Sequence, residues 1–224
     1  MNQPVTRASV YAFYTDALQR GRNTAENLQA ATSERFNTLL ESITEATPRT
    51  ALDLGYGAGT YTIALARAGF DVVAVDQIPC DPLLRRLDGA GDWAHRIEPR
   101  QCLAEDFTID ENFGVLVAKD VLHYLARPSV EALLTSAVAH ARGENYHYLE
   151  VFTAITRRSA DGQLLRIEGE ASYSPESFRR RIQRIYQGWD LTLLWSKHAE
   201  QDSRTGLNCF EAIRATVIAA NQAA

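Results

Sequence analysis

The sequence predicts one α/β domain built on a doubly wound, mostly parallel sheet. Helix-like and strand-like segments alternate from about residue 50 onward, which is typical of a parallel sheet covered by helices on both faces. The chain has 224 residues and a hydrophobic fraction of 46%, enough for one well-buried core. We therefore expect a single-domain protein in which residues 1–46 form a helical segment and residues 47–224 form the sheet domain.

Composition and charge narrow the functional classes. The net charge of −5 disfavours nucleic acid, because binding to phosphate backbones needs a surplus of Lys and Arg. The 3 cysteines lie far apart and the 5 histidines do not converge with acids at ligand spacing, so we expect neither a disulfide framework nor a metal. No stretch resembles a signal peptide or approaches the roughly 20 apolar residues of a membrane span. We expect a cytoplasmic protein without a membrane partner.

Each element of the first half follows from a local pattern. Apolar residues at helical spacing predict helices over about 9–19 and 25–46, and Pro48 ends the second. The β-rich run at 50–54 enters a glycine loop, and a helix over about 60–68 follows it. The chain continues with a buried strand at 71–76 and a short helix at 82–87. An irregular strand at 96–103 and another buried strand at 114–118 follow.

The second half alternates in the same way. Ser129 is expected to cap a helix over about 130–141, and the β pattern resumes at 146–153. The polar stretch 154–172 is predicted to be a long loop or small hairpin, of a length often seen in binding loops or lids. Ser174, followed by proline, predicts the start of a helix. The last two strands are predicted at 190–195 and 209–219.

The stretch LDLGYGAGT, residues 52–60, carries the clearest functional signal. It places Gly55, Gly57 and Gly59 between a strand and a helix, and Asp76 ends the next strand, 21 residues after the first glycine. Bare backbone N–H groups at a helix N-terminus can approach a ligand closely, and a carboxylate at the second strand end can accept both hydroxyls of a ribose. The predicted ligand is therefore a nucleoside derivative.

The glycine spacing argues against a dinucleotide. A G-x-G-x-x-G fingerprint requires glycine or alanine at position 60, where this chain has Thr60. Asp53 precedes the first glycine by two residues and would repel a pyrophosphate, whereas it would attract a cationic ligand. A nicotinamide-dependent reductase and a purely structural turn are the alternatives that the glycines alone leave open.

LDLGYGAG resembles the first motif of the class I S-adenosylmethionine-dependent methyltransferases. VVAVD, AEDF and VLVAKDVLHYL resemble the later cofactor motifs of that family, in the usual order, so the resemblance covers roughly residues 50–152. It implies a Rossmann-like, seven-stranded, mostly parallel sheet with an antiparallel last strand and an N-terminal helical lid. It also implies methyl transfer from S-adenosylmethionine to a small-molecule acceptor, with S-adenosylhomocysteine as product. A protein that binds the donor without transferring methyl is the alternative.

The resemblance also assigns residues to the cofactor. It places Asp53 near the methionine amino group, Asp76 at the ribose hydroxyls, and Asp106 at the adenine amino group with Phe107 alongside. Lys119 stands at the strand end that meets the methionine moiety. The complete set assigned to the cofactor is Asp53, Gly55, Tyr56, Gly57, Gly59, Asp76, Gln77, Asp106, Phe107 and Lys119.

Two residues are candidates for catalysis. His123 follows the fourth strand, where related families often place residues close to the transferred methyl, and imidazole titrates in a useful range. The alternative for His123 is a packed or exposed helical histidine. Tyr14 belongs with Tyr11 and Phe13 to an aromatic cluster on a helix that we expect to close over donor and acceptor and exclude water. The alternative is an amphipathic helix packed on the sheet edge.

The sequence narrows the acceptor without identifying it. The segment YSPESFRRRIQRIYQGWDL resembles the tellurite-resistance branch of the methyltransferases, which favours a small, soft nucleophile, while an O- or N-methyltransferase acting on a natural product stays open. The arginines of 179–184 are interpreted as a solvated helix face. Glu150 and Thr153, at the end of the fifth strand, are candidates for the acceptor pocket by position. We leave the oligomeric state open, with a homodimer as one option.

Overall fold

The computed structural model describes residues 5–20, 31–159, 161–202 and 207–221. Within these ranges no helix is both long and apolar enough to cross a membrane. The strands are β1 (Thr50–Leu54), β2 (Asp71–Asp76), β3 (Ile97–Gln101), β4 (Val115–Lys119), β5 (Asn145–Ser159), β6 (Leu164–Leu165), β7 (Asp190–Asp202) and β8 (Leu207–Asn221). The α-helices are α1 (Arg7–Gln19), α2 (Glu34–Ser42), α3 (Thr60–Arg67), α4 (Asp81–Leu87), α5 (Arg127–His140) and α6 (Pro175–Ile185).

The strands form one sheet with a doubly wound topology. Seven of them follow the order β3-β2-β1-β4-β5-β8-β7, and β6 pairs with β5 outside this path. Strands β1 to β5 pair in parallel, whereas β8 runs antiparallel to both β5 and β7. The predicted doubly wound, mostly parallel sheet with an antiparallel last strand is confirmed. The strand order reverses between β1 and β4, the place where such sheets bind ligands beyond their carboxyl ends.

Helices cover both faces of the sheet and bury its central strands. Alternate residues of β1 enter opposite layers, as the period of a strand requires. Ala51 belongs to one apolar cluster with Phe36 of α2 and Leu83 of α4, whereas Leu52 belongs to another with Leu134 of α5. The loops that follow β1, β2 and β4 are therefore held on a rigid frame at one edge of the sheet.

Two predicted helix boundaries were wrong. Helix α2, capped by the side chain of Ser33, ends at Ser42 rather than near residue 46, and residues 31–33 of the predicted helix are not helical. Its predicted start near residue 25 lies in residues 21–30, outside the described part of the chain. Helix α5 begins at Arg127 instead of after Ser129, because a proline at the first turn suits a helix start.

The polar stretch 154–172 is partly strand. Strand β5 continues to Ser159 and, with β6, forms the small hairpin that was one of the two predicted options. Strand β8 pairs with β5 along nearly its whole length, with a register shift between Thr153 and Thr156. Ala154, inside this irregularity, has a φ of 49°. Long-range pairing with β8 therefore extends β5 beyond its apolar pattern.

Candidate active site

The glycine loop, residues 55–59, follows β1 and carries two glycines that are required for different reasons. Gly55 has a φ of +76°, and a Cβ at this position would lie 2.6 Å from Cβ of Val121, so the loop packs directly against the chain after β4. Gly57 has a φ of +52° and no atom within 4 Å of its Cβ position. Gly57 also lines a cavity, so the space that a side chain would fill is open to a ligand.

Two carboxylates flank this loop. Asp76, at the end of β2, accepts hydrogen bonds from the backbone N–H groups of Gly57 at 2.9 Å and Ile78 at 3.2 Å. Asp53, in β1, is buried and accepts a hydrogen bond from Oγ1 of Thr62 at 2.5 Å. Both aspartates line the cavity, and their side chains are held in place by hydrogen bonds.

Burial raises the pKa of both carboxyl groups. The pKa of Asp53 rises from 3.8 to about 7, mainly through burial and further through the charge of Asp76, while the Thr62 hydrogen bond and Lys119 oppose the rise. Burial also raises the pKa of Asp76, against the lowering effect of its backbone hydrogen bonds. A carboxylate that ionises reluctantly is stabilised by an incoming cation, so this end of the cavity favours a positively charged ligand.

The cavity has a volume of about 670 Å³ and extends from the glycine loop to a largely aromatic region. That volume lies in the range usual for small-molecule sites. Nine of the twelve predicted site residues line it: Tyr14, Asp53, Gly55, Tyr56, Gly57, Asp76, Gln77, Lys119 and His123. Among the described residues, no group of three or more His, Cys, Asp or Glu side chains is arranged to hold a metal ion.

Three predicted cofactor residues lie outside the cavity wall: Gly59, Asp106 and Phe107. Asp106 is exposed. The backbone N–H of Asp106 donates a hydrogen bond to the carbonyl oxygen of Leu103, which forms a turn at Asp106. Phe107 packs against the core beneath the guanidinium of Arg100. The wall is formed instead by the preceding residues of the same turn, Leu103, Ala104 and Glu105. The AEDF motif thus identified the turn, while the residues that face the cavity precede its aspartate.

His123 is buried in the 3-10 turn Leu122–Tyr124, directly on the cavity. Burial lowers the pKa of His123 to about 3, with Arg157 and Arg214 lowering it and Asp120 raising it. The imidazole is therefore neutral at physiological pH. Within the described part of the chain, its Nδ1 has no hydrogen-bond partner.

Helix α1 lies across the cavity and is bonded to its far side. Arg7 donates from Nη1 to Oε1 of Glu105 at 2.6 Å and from Nη2 to the carbonyl oxygen of Tyr124 at 2.8 Å. The hydroxyl groups of Tyr14 and Tyr124 are 2.6 Å apart. These contacts connect α1 to the turns that follow β3 and β4, and residues of the helix line the cavity beside them.

Sequence reasoning missed several residues that the cavity brings together. Asp120 follows β4 with a φ of 55°, which is unusual for a residue other than glycine. Its Oδ2 lies 2.8 Å from Nζ of Lys119 and 3.2 Å from Nη2 of Arg214. The other missed lining residues come from β5, β7 and β8: Phe152, Arg157, His198, Phe210 and Arg214. Glu150 and Thr153, predicted near the acceptor by position, are buried behind this wall rather than in it.

Comparisons with known proteins agree with this architecture. A family profile described as "Methyltransferase domain" matches residues 51–143. A search of curated protein sequences found no match. The structure resembles the 1,6-didemethyltoxoflavin-N1-methyltransferase of Burkholderia thailandensis, with a TM-score of 0.63 and 16% identity over 100% of this chain and 94% of the other.

Two further solved structures share the fold. TehB from Haemophilus influenzae has a TM-score of 0.60 and 17% identity, over 93% of this chain and 67% of the other. The N-methyltransferase NodS from Bradyrhizobium japonicum has a TM-score of 0.57 and 16% identity, over 93% of this chain and 98% of the other. These neighbours show that the chain has the fold of these methyltransferases, and the profile described as "Methyltransferase domain" covers its residues 51–143.

Proposed function

We propose that this protein transfers the methyl group of S-adenosylmethionine to a small-molecule acceptor. The observation that carries the proposal is the continuous cavity, which joins the glycine loop to an aromatic chamber beneath α1. The donor supplies a methyl group on a positively charged sulfur, ready for direct displacement by a nucleophile. The protein needs mainly to align two bound molecules and exclude water, and one enclosed space does both.

The donor end of the cavity fits the chemistry of this cofactor. Asp53 is a buried carboxylate suited to the donor's amino group, and Asp76 is held at the strand end where it can accept the ribose hydroxyls. The open space beside Gly57 admits the ligand backbone. Lys119, on the same wall, suits the donor's carboxylate. We assign the adenine to the turn that presents Glu105 and its two preceding neighbours to the cavity.

Helix α1 serves as the lid over the two ligands. Its Arg7 contacts Glu105 in the turn after β3, and both Arg7 and Tyr14 contact Tyr124 in the turn after β4, so we propose that opening the helix would expose both donor and acceptor sites. We propose that ligands enter by displacement of this helix and that its return excludes water. The domain boundary at residue 46 stays a prediction.

His123 and Tyr14 are the candidate catalytic residues at the acceptor end. His123 is neutral and lines the cavity, so its imidazole can accept a hydrogen bond from an O–H or N–H acceptor. Its pKa of about 3 lies below the useful range expected from the sequence, so it is a weak base for the proton that the acceptor loses as its bond to the methyl carbon forms. The hydroxyl pair of Tyr14 and Tyr124 offers a hydrogen-bonding group at the same end. An acceptor that is already nucleophilic would need neither residue for proton transfer.

The proposed function is tested with methyl-labelled S-adenosylmethionine and a metabolite extract. The purified protein is expected to produce a labelled small molecule, whose identification also gives the acceptor. A protein that binds S-adenosylhomocysteine but yields no labelled product in any extract would be a donor-binding protein instead. Heat of binding from NADPH, with none from S-adenosylhomocysteine, would favour the reductase alternative.

A further inference from the structure

The acceptor end of the cavity contains two arginine–phenylalanine pairs arranged side by side. Strands β5 and β8 place Phe152 opposite Arg214, and Arg157 opposite Phe210. Each guanidinium lies over the ring across the strand pair, with Cζ of Arg214 at 4.6 Å from the Phe152 centroid and Cζ of Arg157 at 5.5 Å from that of Phe210. All four residues line the cavity. We call them the Arg-Phe wall.

The two rings of the Arg-Phe wall are in contact with each other and with a histidine, so they form one apolar cluster beside the two cations. The Phe152 and Phe210 centroids are 5.1 Å apart in an edge-to-face arrangement, and the imidazole of His198 packs against both rings at 4.8 and 5.6 Å. His123, in the 3-10 turn Leu122–Tyr124, packs against Phe152 with 5.1 Å between the ring centroids. A planar apolar body bound on this surface would therefore lie beside the candidate base.

Both arginines are held by carboxylates yet retain unused donors. Arg157 is 5% exposed and donates from Nη1 to Glu170 at 2.6 Å, whereas its Nη2 has no hydrogen-bond partner within the described ranges. Arg214 makes ion pairs with Asp120 at 3.2 Å and Glu150 at 3.3 Å, and its Nε is likewise without a partner in the described structure. Buried donors without acceptors are costly, so an acceptor oxygen supplied by a ligand would stabilise this wall.

From this arrangement, and given the proposed methyl transfer, we infer that the acceptor is a small aromatic molecule bearing an oxyanion. Its apolar body packs against Phe152 and Phe210, and its carboxylate or similar anionic group accepts hydrogen bonds from Arg157 and Arg214. Guanidinium groups suit such oxyanions in both charge and geometry. Because Arg157 and Arg214 are paired with Glu170, Asp120 and Glu150, the anionic group is recognised by their unused N–H donors rather than by a net positive charge.

The inference is tested with matched probes that differ only in charge. Benzoate, 4-hydroxybenzoate and indole-3-carboxylate, each with its primary amide, are titrated into the full-length protein with and without saturating S-adenosylhomocysteine. We expect each acid to bind at least about 10-fold more tightly than its amide, because hydrogen bonds to charged groups exceed neutral ones by about this factor. The preference should disappear in Arg214→Gln and return in Arg214→Lys.

Two further variants separate recognition from folding. Arg157→Gln combined with Glu170→Gln removes the second cation without leaving its partner charged, and should also abolish the preference. Arg180→Gln, on the exposed face of α6, should change nothing. Equal affinity for acid and amide, failure of the acids to bind, or a preference that survives in Arg214→Gln would overturn the inference. Failure of S-adenosylhomocysteine to bind would instead defeat the proposed function. The two failures can be told apart because the preference for acid over amide is also measured in the absence of S-adenosylhomocysteine.

Discussion

Replacing Asp53 with asparagine should stabilise the ligand-free protein at alkaline pH while weakening donor binding. Folding raises the pKa of Asp53 from 3.8 to about 7, chiefly because the carboxyl group is buried. The stability linked to this group is therefore fully present below pH 3.8 and is lost as pH rises through 7. Asparagine keeps an oxygen that can accept the Thr62 hydrogen bond, but it carries no charge.

The size of the effect follows from the pKa values. The ionised carboxylate costs the fold about 4 kcal/mol at pH 8 and about 1.5 kcal/mol at pH 5, since one pKa unit corresponds to about 1.4 kcal/mol. The buried amide nitrogen of asparagine costs a constant amount of about 1–3 kcal/mol at both pH values. The difference in unfolding free energy between Asp53→Asn and wild type should therefore shift by about 2.5 kcal/mol in favour of the variant between pH 5 and pH 8.

Denaturant unfolding at the two pH values measures this shift, with the exposed Asp110→Asn as the matched control. The same variant should bind S-adenosylhomocysteine at least about 30-fold more weakly, because removing one partner of a buried charge pair costs about 2 kcal/mol or more. A stability difference that does not change with pH would refute the electrostatic account of Asp53. Donor affinity equal to that of wild type would refute its assignment to the amino group.

Three further predictions follow from the same cavity. Gly57→Val should reduce affinity for S-adenosylhomocysteine at least about 10-fold in calorimetry, because the side chain enters the ligand space and the left-handed backbone strains it. In initial-rate pH profiles, kcat/KM for the donor should fall as the pH drops below about 7, because Asp53 becomes protonated there. By contrast, kcat at saturating donor should stay flat from about pH 5.5 to 8, because His123, with a pKa of about 3, remains neutral. His123→Ala should lower turnover of an O–H or N–H acceptor about 100-fold with little change in donor affinity; unchanged turnover would dismiss the candidate base.

The glycine-loop end of the cavity was predictable because its signals are local. A glycine loop between a strand and a helix, with an acid at the end of the next strand, lies within about 25 residues of sequence, and parallel strand ends meet at one edge of a sheet. Asp53, Gly57 and Asp76 accordingly lie together on the cavity. The AEDF motif predicted the turn after β3 but not which of its residues line the cavity, since a turn motif does not specify which of its side chains faces inward.

The aromatic end of the cavity could not be predicted because it depends on pairing across the sheet. Arg157 and Phe210 become neighbours only when β5 pairs with β8, more than fifty residues away in the chain. The outer part of β5 also lacks an apolar pattern, because residues that face a cavity need not be hydrophobic. The polar stretch from residue 154 therefore suggested a loop, although the backbone continues as a strand to Ser159.

A crystal structure of the protein with S-adenosylhomocysteine tests the central claim most directly. The account predicts the ribose hydroxyls within hydrogen-bond distance of Asp76, the amino group beside Asp53, and the sulfur directed toward the Arg-Phe wall. Electron density for the ligand elsewhere, or a cavity beside Gly57 that stays empty at saturating ligand, would contradict it.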